Sequence, residues 1–133
     1  MRWVFVKFTK AMAWRFDNNR LIAPDGLSWP ARSGPYGCGK LPAGKYIIKR
    51  PVVIKSEAAK FNSYRDKTGF AWWCRLTPCF KTERTGLGIH PDGNVPGTRG
   101  CIGITLDDTR PVFEALRNCE DKMLIVFDNS LIT

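Results

Sequence analysis

The sequence predicts a mostly β domain with one main α-helix. Three observations carry this reading. Short aromatic and β-branched runs recur between turn residues. Only one segment, after residue 105, shows apolar spacing of helical period together with a proline suited to a first turn. The chain has 133 residues, 44% of them hydrophobic, which fits a single domain over 1–133 with one core. No apolar run approaches the roughly 20 residues that cross a bilayer, so no membrane span is expected.

The elements follow in order. Trp3 to Phe8 is aromatic and β-branched and reads as a strand. Lys7 and Lys10 interrupt it and no small-residue cleavage site follows, so the chain is expected to be cytoplasmic, a mature fragment, or exported by a route that ignores signal peptides. Met12 to Phe16 is a second strand, turned by Asp17-Asn18-Asn19-Arg20 so that Leu21-Ile22 pairs back before Pro24-Asp25-Gly26. Ser28 to Gly44 is rich in glycine and proline and reads as a long functional loop. Lys45 to Ile54 reads as a strand with Pro51 at a bend or edge, Ala58 to Arg65 as a short helical turn, and Phe70 to Leu76 as a strand near the core. Thr105-Leu106-Asp107-Asp108 resembles a capping box, and Val112, Leu116 and Cys119 then share a helical face with Phe113 beside it. Met123 to Phe127 closes the series as a buried strand.

The formal net charge is +9. Beyond a solvated face, such a charge suits an acidic polymer, either nucleic acid or an anionic wall glycopeptide. The Lys and Arg residues are scattered, with no basic helix or nucleic-acid signature, so nucleic acid is not expected. Five cysteines stand at 38, 74, 79, 101 and 119. In an oxidising compartment Cys38, Cys74, Cys79 and Cys119 could pair in any of three ways and leave Cys101 free; in a reducing one all five stay thiols. Cys74 and Cys79 are poorly spaced for a zinc knuckle, and neither a metal nor a cofactor is expected.

The chemistry concentrates between His90, the chain's one histidine, and Cys101, eleven positions later. Pro91, Gly93, Pro96, Gly97 and Gly100 make the intervening segment a shaped loop, and the runs Leu87 to Ile89 and Ile102 to Ile104 suit two strand ends flanking it. A thiol becomes a strong nucleophile when an imidazole takes its proton, and a nearby cation such as Arg99 helps. Gly100 lets the backbone bend and aim N–H groups at a developing oxyanion, worth roughly 3 kcal/mol per donor. The imidazole needs a third group to hold its tautomer; Asp92 and a backbone carbonyl near Pro91 are both candidates, and Asp92 also fits an Asx turn with Gly93.

His90 followed by Thr98-Arg99-Gly100-Cys101-Ile102 resembles the signature of the L,D-transpeptidase (YkuD-like) family: a His, a loop, then Ser/Thr-x-Gly-Cys and an apolar residue. Ser33-Gly34-Pro35 and Leu41-Pro42-Ala43-Gly44-Lys45-Tyr46 resemble elements of a short branch of that family, which includes peptidoglycan-attacking effectors of type VI secretion. The similarity covers roughly residues 1 to 128. Two positions depart from the pattern: Arg99 stands where many relatives have His, and Gly103 where many have Arg.

The resemblance implies a compact β-sandwich or barrel with the helix after the Cys101 strand. It implies that Cys101 is acylated, His90 is its base, Thr98 braces the loop, and the Gly100 and Cys101 N–H groups hold the oxyanion. Arg99, Ser33 and Tyr36 are the expected substrate contacts. The implied substrates are peptidoglycan stem peptides, cleaved or exchanged as an L,D-carboxypeptidase or L,D-transpeptidase. An injected toxin of this kind would act in a target cell's periplasm and be answered by an immunity protein. Two rival readings stand beside it: another Cys-His wall amidase or endopeptidase, and a non-catalytic basic module that binds wall or nucleic acid through Trp29, Tyr36 and Tyr64.

Overall fold

A computed structural model of the chain describes residues 13–37, 39–93, 98 and 100–128. The expected strand at 3–8 lies outside them, as do Cys38 and Arg99. Nine strands and one α-helix are present among the described residues: β1 Trp14–Asp17, β2 Arg20–Ile22, β3 Ser28–Ser33, β4 Gly44–Ile48, β5 Val52–Val53, β6 Trp72–Pro78, β7 Gly88–Pro91, β8 Ile102–Ile104, α1 Arg110–Asn118 and β9 Met123–Val126. A 3₁₀ turn spans Ala59–Tyr64, where a helical turn was expected.

Eight strands close on themselves. The order β4-β9-β1-β2-β3-β8-β7-β6 returns from β6 to β4, so each has two partners, and β5 extends the β4 side of β6. Two pairings are parallel, β1 with β9 and β7 with β8; the remainder are antiparallel. Closure explains how such short strands hold together, since no long edge is left unpaired. The β1–β2 turn forms as read: Asn18 and Asn19 both take positive φ, which Asn tolerates better than most residues.

Three expectations are corrected. The Gly/Pro-rich loop begins at Gly34, because Ser28–Ser33 is a strand that pairs with both β2 and β8 despite Pro30. The strand read over Lys45 to Ile54 runs along β6 but splits into β4 and β5: Lys49 N–H still reaches Arg75 O and Ile54 N–H reaches Ala71 O, while Pro51 has no N–H to give. The capping box at 105–108 is not the helix start. Thr109 is the N-cap residue, its hydroxyl donates to Asp66, and Pro111 falls in the first turn.

The core lies inside the barrel and under the helix. Trp14, Leu21, Tyr46, Trp72, Ile89, Ile102, Ile104 and Leu124 are its largest fully buried side chains among the strands. The helix contributes Val112, Phe113 and Leu116, with Phe113 edge-on to Phe70 and Trp72 at centroid distances of 5.2 and 5.7 Å. Cys119 caps the helix C-terminus, half-buried against this core. Met123 and Phe127 are exposed, so only Leu124 and Val126 bury the last strand.

Candidate active site

Register puts the two expected reactive residues on one face. β7 and β8 run parallel with His90 opposite Gly103 and Ile89 opposite Ile102. Side chains alternate along a strand, so Ile89, Ile102 and Ile104 enter the core while His90, Asp92, Gly103 and Cys101 share the opposite side. In this parallel register Cys101 stands opposite Gly88, so Cys101 and His90 are diagonal neighbours on one face of the pair. On the flanking strands Arg32 stands opposite Gly103, and one step along the β6–β7 register sets Trp73 opposite His90.

His90 is held from three sides. Its Nδ1–H donates to Pro91 O at 2.7 Å; a carbonyl can only accept, so the proton is on Nδ1 and the Nε2 lone pair is the available base. Tyr64 meets the ring edge-on at 4.5 Å and Trp73 stacks on it at 5.9 Å. Of the two candidates for the orienting group, it is the Pro91 carbonyl that bonds Nδ1. Asp92 acts on the ring through its charge, while its carboxylate takes Arg32 Nε at 2.6 Å over the space that Gly103 leaves empty. Burial pushes the imidazole down to about 4, against the smaller upward pull of the Pro91 bond and the Asp92 charge. His90 is therefore neutral at physiological pH.

Cys101 is half-buried. Its thiol donates to Gly86 O at 3.4 Å. Burial raises its pKa, and hydrogen bonding to the Gly88 backbone and the charge of Arg84 act in the opposite direction. The resting pair is thus neutral thiol and neutral imidazole, not a preformed ion pair.

Thr98 ties the cysteine turn to the Gly34 loop. Its hydroxyl accepts the Gly34 and Gly100 N–H groups at 3.0 and 3.2 Å and donates to Cys101 O at 2.6 Å. Its backbone adds Thr98 N–H to Gly34 O and Tyr36 N–H to Thr98 O. Gly100 has φ +127°, a region that favours glycine, and a Cβ there would overlap Arg84 Nη2. The Gly100 N–H donates to the Thr98 hydroxyl at 3.2 Å.

The expected substrate contacts separate. Ser33 Oγ accepts Leu41 N–H at 2.8 Å and so shapes the loop. Tyr36 is 47% exposed beside Thr98. Of the aromatics offered as a binding surface, Trp29 stacks on Trp14 and Tyr64 packs on His90, so only Tyr36 presents an exposed ring. Cys74, Cys79, Cys101 and Cys119 are all free thiols. No cluster of three or more His, Cys, Asp and Glu able to hold a metal occurs among the described residues. No described helix is long and apolar enough to cross a membrane.

Sequence reasoning missed two cations. Arg32 sits on a strand that was read as loop, and Arg84 lies in an unpatterned link. Arg32 and Asp92 also line a cleft of about 340 Å³ with Arg65, Lys67 and Asp107, a mixed-charge groove beside the reactive face.

No protein-family model matches the chain, and neither does any curated protein. Solved structures do. Bd1075 of Bdellovibrio bacteriovorus superposes with a TM-score of 0.59 at 17% identity, over 90% of this chain and 49% of that one. L,D-transpeptidase 1 of Mycobacterium tuberculosis gives 0.52 at 16% identity, over 87% of this chain and 58% of that one. The chain spans about half the length of these structures. The fold is accordingly L,D-transpeptidase-like: a mostly β closed barrel with one main helix.

Proposed function

We propose that the chain is a peptidoglycan-modifying cysteine enzyme, an L,D-carboxypeptidase or L,D-transpeptidase acting on tetrapeptide stems. The observation that carries this reading is the shared face of His90 and Cys101, with the Nε2 lone pair available and the Cys101 turn clamped by Thr98. In the proposed cycle His90 Nε2 takes the thiol proton and the sulfur attacks the carbonyl of the third stem residue. The Cys101 N–H steadies the oxyanion. The C–N bond to the terminal D-alanine then breaks, His90 returns the proton to the leaving amine, and a thioester remains. Water resolves it as hydrolysis, an amine as exchange or cross-linking. The mixed charges of the Arg32–Asp92 cleft suit the zwitterionic end of a diamino-acid stem.

The finer reading is an antibacterial type VI effector that works in a target periplasm and is neutralised by an immunity protein. Its support is the sequence resemblance over residues 33–46 and 90–102 and the charge of +9, which favours an anionic wall.

Cys101→Ala tests the chemistry. Mass analysis of tetrapeptide muropeptides incubated with the wild type is expected to show D-alanine loss or exchange, and the variant is expected to lose at least about a thousandfold in rate with its fold intact. Cleavage at another bond would favour an amidase or endopeptidase, and turnover retained in the variant removes Cys101 from the mechanism.

A further inference from the structure

Arg84 carries the feature that the proposed cycle leaves unused. Its Nη1 donates weakly to Lys40 O at 3.4 Å. Its Nη2 is shut off from solvent and has no hydrogen-bond partner among the described residues. That same nitrogen fills the space over Gly100 where any other residue would carry a Cβ, one position before the nucleophile. A guanidinium stays charged at any pH a protein meets, and a buried donor left unmet is costly. A feature that destabilises the resting protein, built into the turn that carries the reactive sulfur, points to a use when an anion forms there.

We propose that Arg84 is a positioning residue of the Cys101 centre, a fixed positive charge held behind the Gly100 turn to stabilise the anion that forms at the Cys101 sulfur. The inference rests on Cys101 acting as a nucleophile. When the S–H bond breaks, the electron pair stays on sulfur and the proton passes to His90 Nε2; the guanidinium neither gives nor takes a proton. The charge of Arg84 opposes the upward push of burial on the thiol, and it acts likewise on the Tyr46 phenol. Among the described residues, the other charged or titratable groups on this face include His90 and Asp92 from β7, Arg32 from β3, Arg75 from β6, which stands opposite Gly88, and Tyr64, which packs on His90; Arg32 and Asp92 are engaged with each other.

The test is the pH dependence of Cys101 alkylation by iodoacetamide, read by peptide mapping so that the other thiols do not contribute. Arg84→Gln is expected to move the midpoint up by about one pH unit, roughly a tenfold loss of thiolate at neutral pH, with near-UV circular dichroism unchanged. Arg84→Lys, which keeps the charge, is expected to restore most of the shift; a purely structural role would not follow charge in this way. Arg84→Met, which keeps the apolar stem, repeats the measurement where the glutamine amide is not accommodated. Equal midpoints in the wild type and the neutral variants would overturn the proposal. Alkylation needs no substrate, so failure to process muropeptides counts against the enzyme reading alone, and an unmoved midpoint counts against Arg84 alone.

Discussion

Trp72 and Trp73 are neighbours on β6 and, as strand residues, point to opposite faces, each into a different polar cluster. Trp72 Nε1 donates to Thr109 Oγ1 at 2.8 Å, and Thr109 in turn donates through its hydroxyl and its N–H to Asp66 Oδ2. Asp66 Oδ1 takes the Thr68 hydroxyl and the Thr68 and Phe70 N–H groups. Burial pushes this carboxyl up, but the bonds from the Thr68 hydroxyl, the Thr109 N–H and hydroxyl and the Phe70 N–H together more than offset it, and its pKa is lowered. Trp73 instead lies over Gly88, where a Cβ would come within 2.5 Å of its ring, and stacks on His90. On that side, among the described residues, a guanidinium nitrogen has no hydrogen-bond partner, and burial works against the charged forms of both His90 and Cys101. One cluster is closed and locks the helix start to the sheet. The other, among the described residues, keeps a buried donor without a partner.

Substitutions can break this contrast in order of size. His90→Gln is expected to cost about 10²–10⁴-fold in turnover of tetrapeptide muropeptides, measured under single-turnover conditions, because the proposed base is removed. It is also expected to flatten the acid limb of stability. The native imidazole stays neutral down to about pH 4 while the unfolded one protonates near 6.5, so the wild type loses up to about 3 kcal/mol as pH falls through that window. Urea unfolding at several pH values checks this; an unchanged slope in the variant would mean that His90 is not buried neutral. Asp66→Ala is expected to cost about 3 kcal/mol at pH 7, since it strands the donors of Thr68 and Thr109, while the folded fraction keeps its turnover. A loss of activity without loss of stability there would erase the distinction between the clusters. The Asp66 contribution is present above the ordinary carboxylate pKa and is lost only below it, so Asp66→Asn should leave the window between 4 and 6.5 untouched. Thr98→Val removes three hydrogen bonds and is expected to cost about 2 kcal/mol in stability together with a fall in kcat, with Thr98→Ser restoring both. Ser33→Ala, which frees only the Leu41 N–H, is expected to cost about 1 kcal/mol by the same unfolding assay.

Much of this organisation could be read beforehand. The turn at Asn18-Asn19, the strands on either side of the His90–Cys101 loop and the Pro111 helix all follow from local chemistry. The reactive face was legible because glycine, proline and one histidine concentrate there. What escaped depends on contacts distant in sequence. Pro30 and the small residues of Ser28–Ser33 carry no β-propensity, and pairing with β2 and β8 overrides them. Local spacing points to a helix cap at 105–108, whereas the partner of Thr109 is Asp66, 43 positions away. Arg32 and Arg84 carry no local signature at all. Arg32 matters because its register meets Gly103, and Arg84 because Gly100 gives it room.

Gly103 has a consequence for how such a barrel can diverge. A methyl group there would approach Asp92 Cβ and Thr98 Cγ2 to 2.9 Å, so the slot is already spoken for from both sides. Moving the cation from the neighbouring strand onto position 103 would demand that Asp92 and Thr98 give way together, and Thr98 is the clamp on the nucleophile's own turn. A side chain at position 103 is therefore admitted only if the residue that ties the Gly34 loop to the Cys101 turn moves with it.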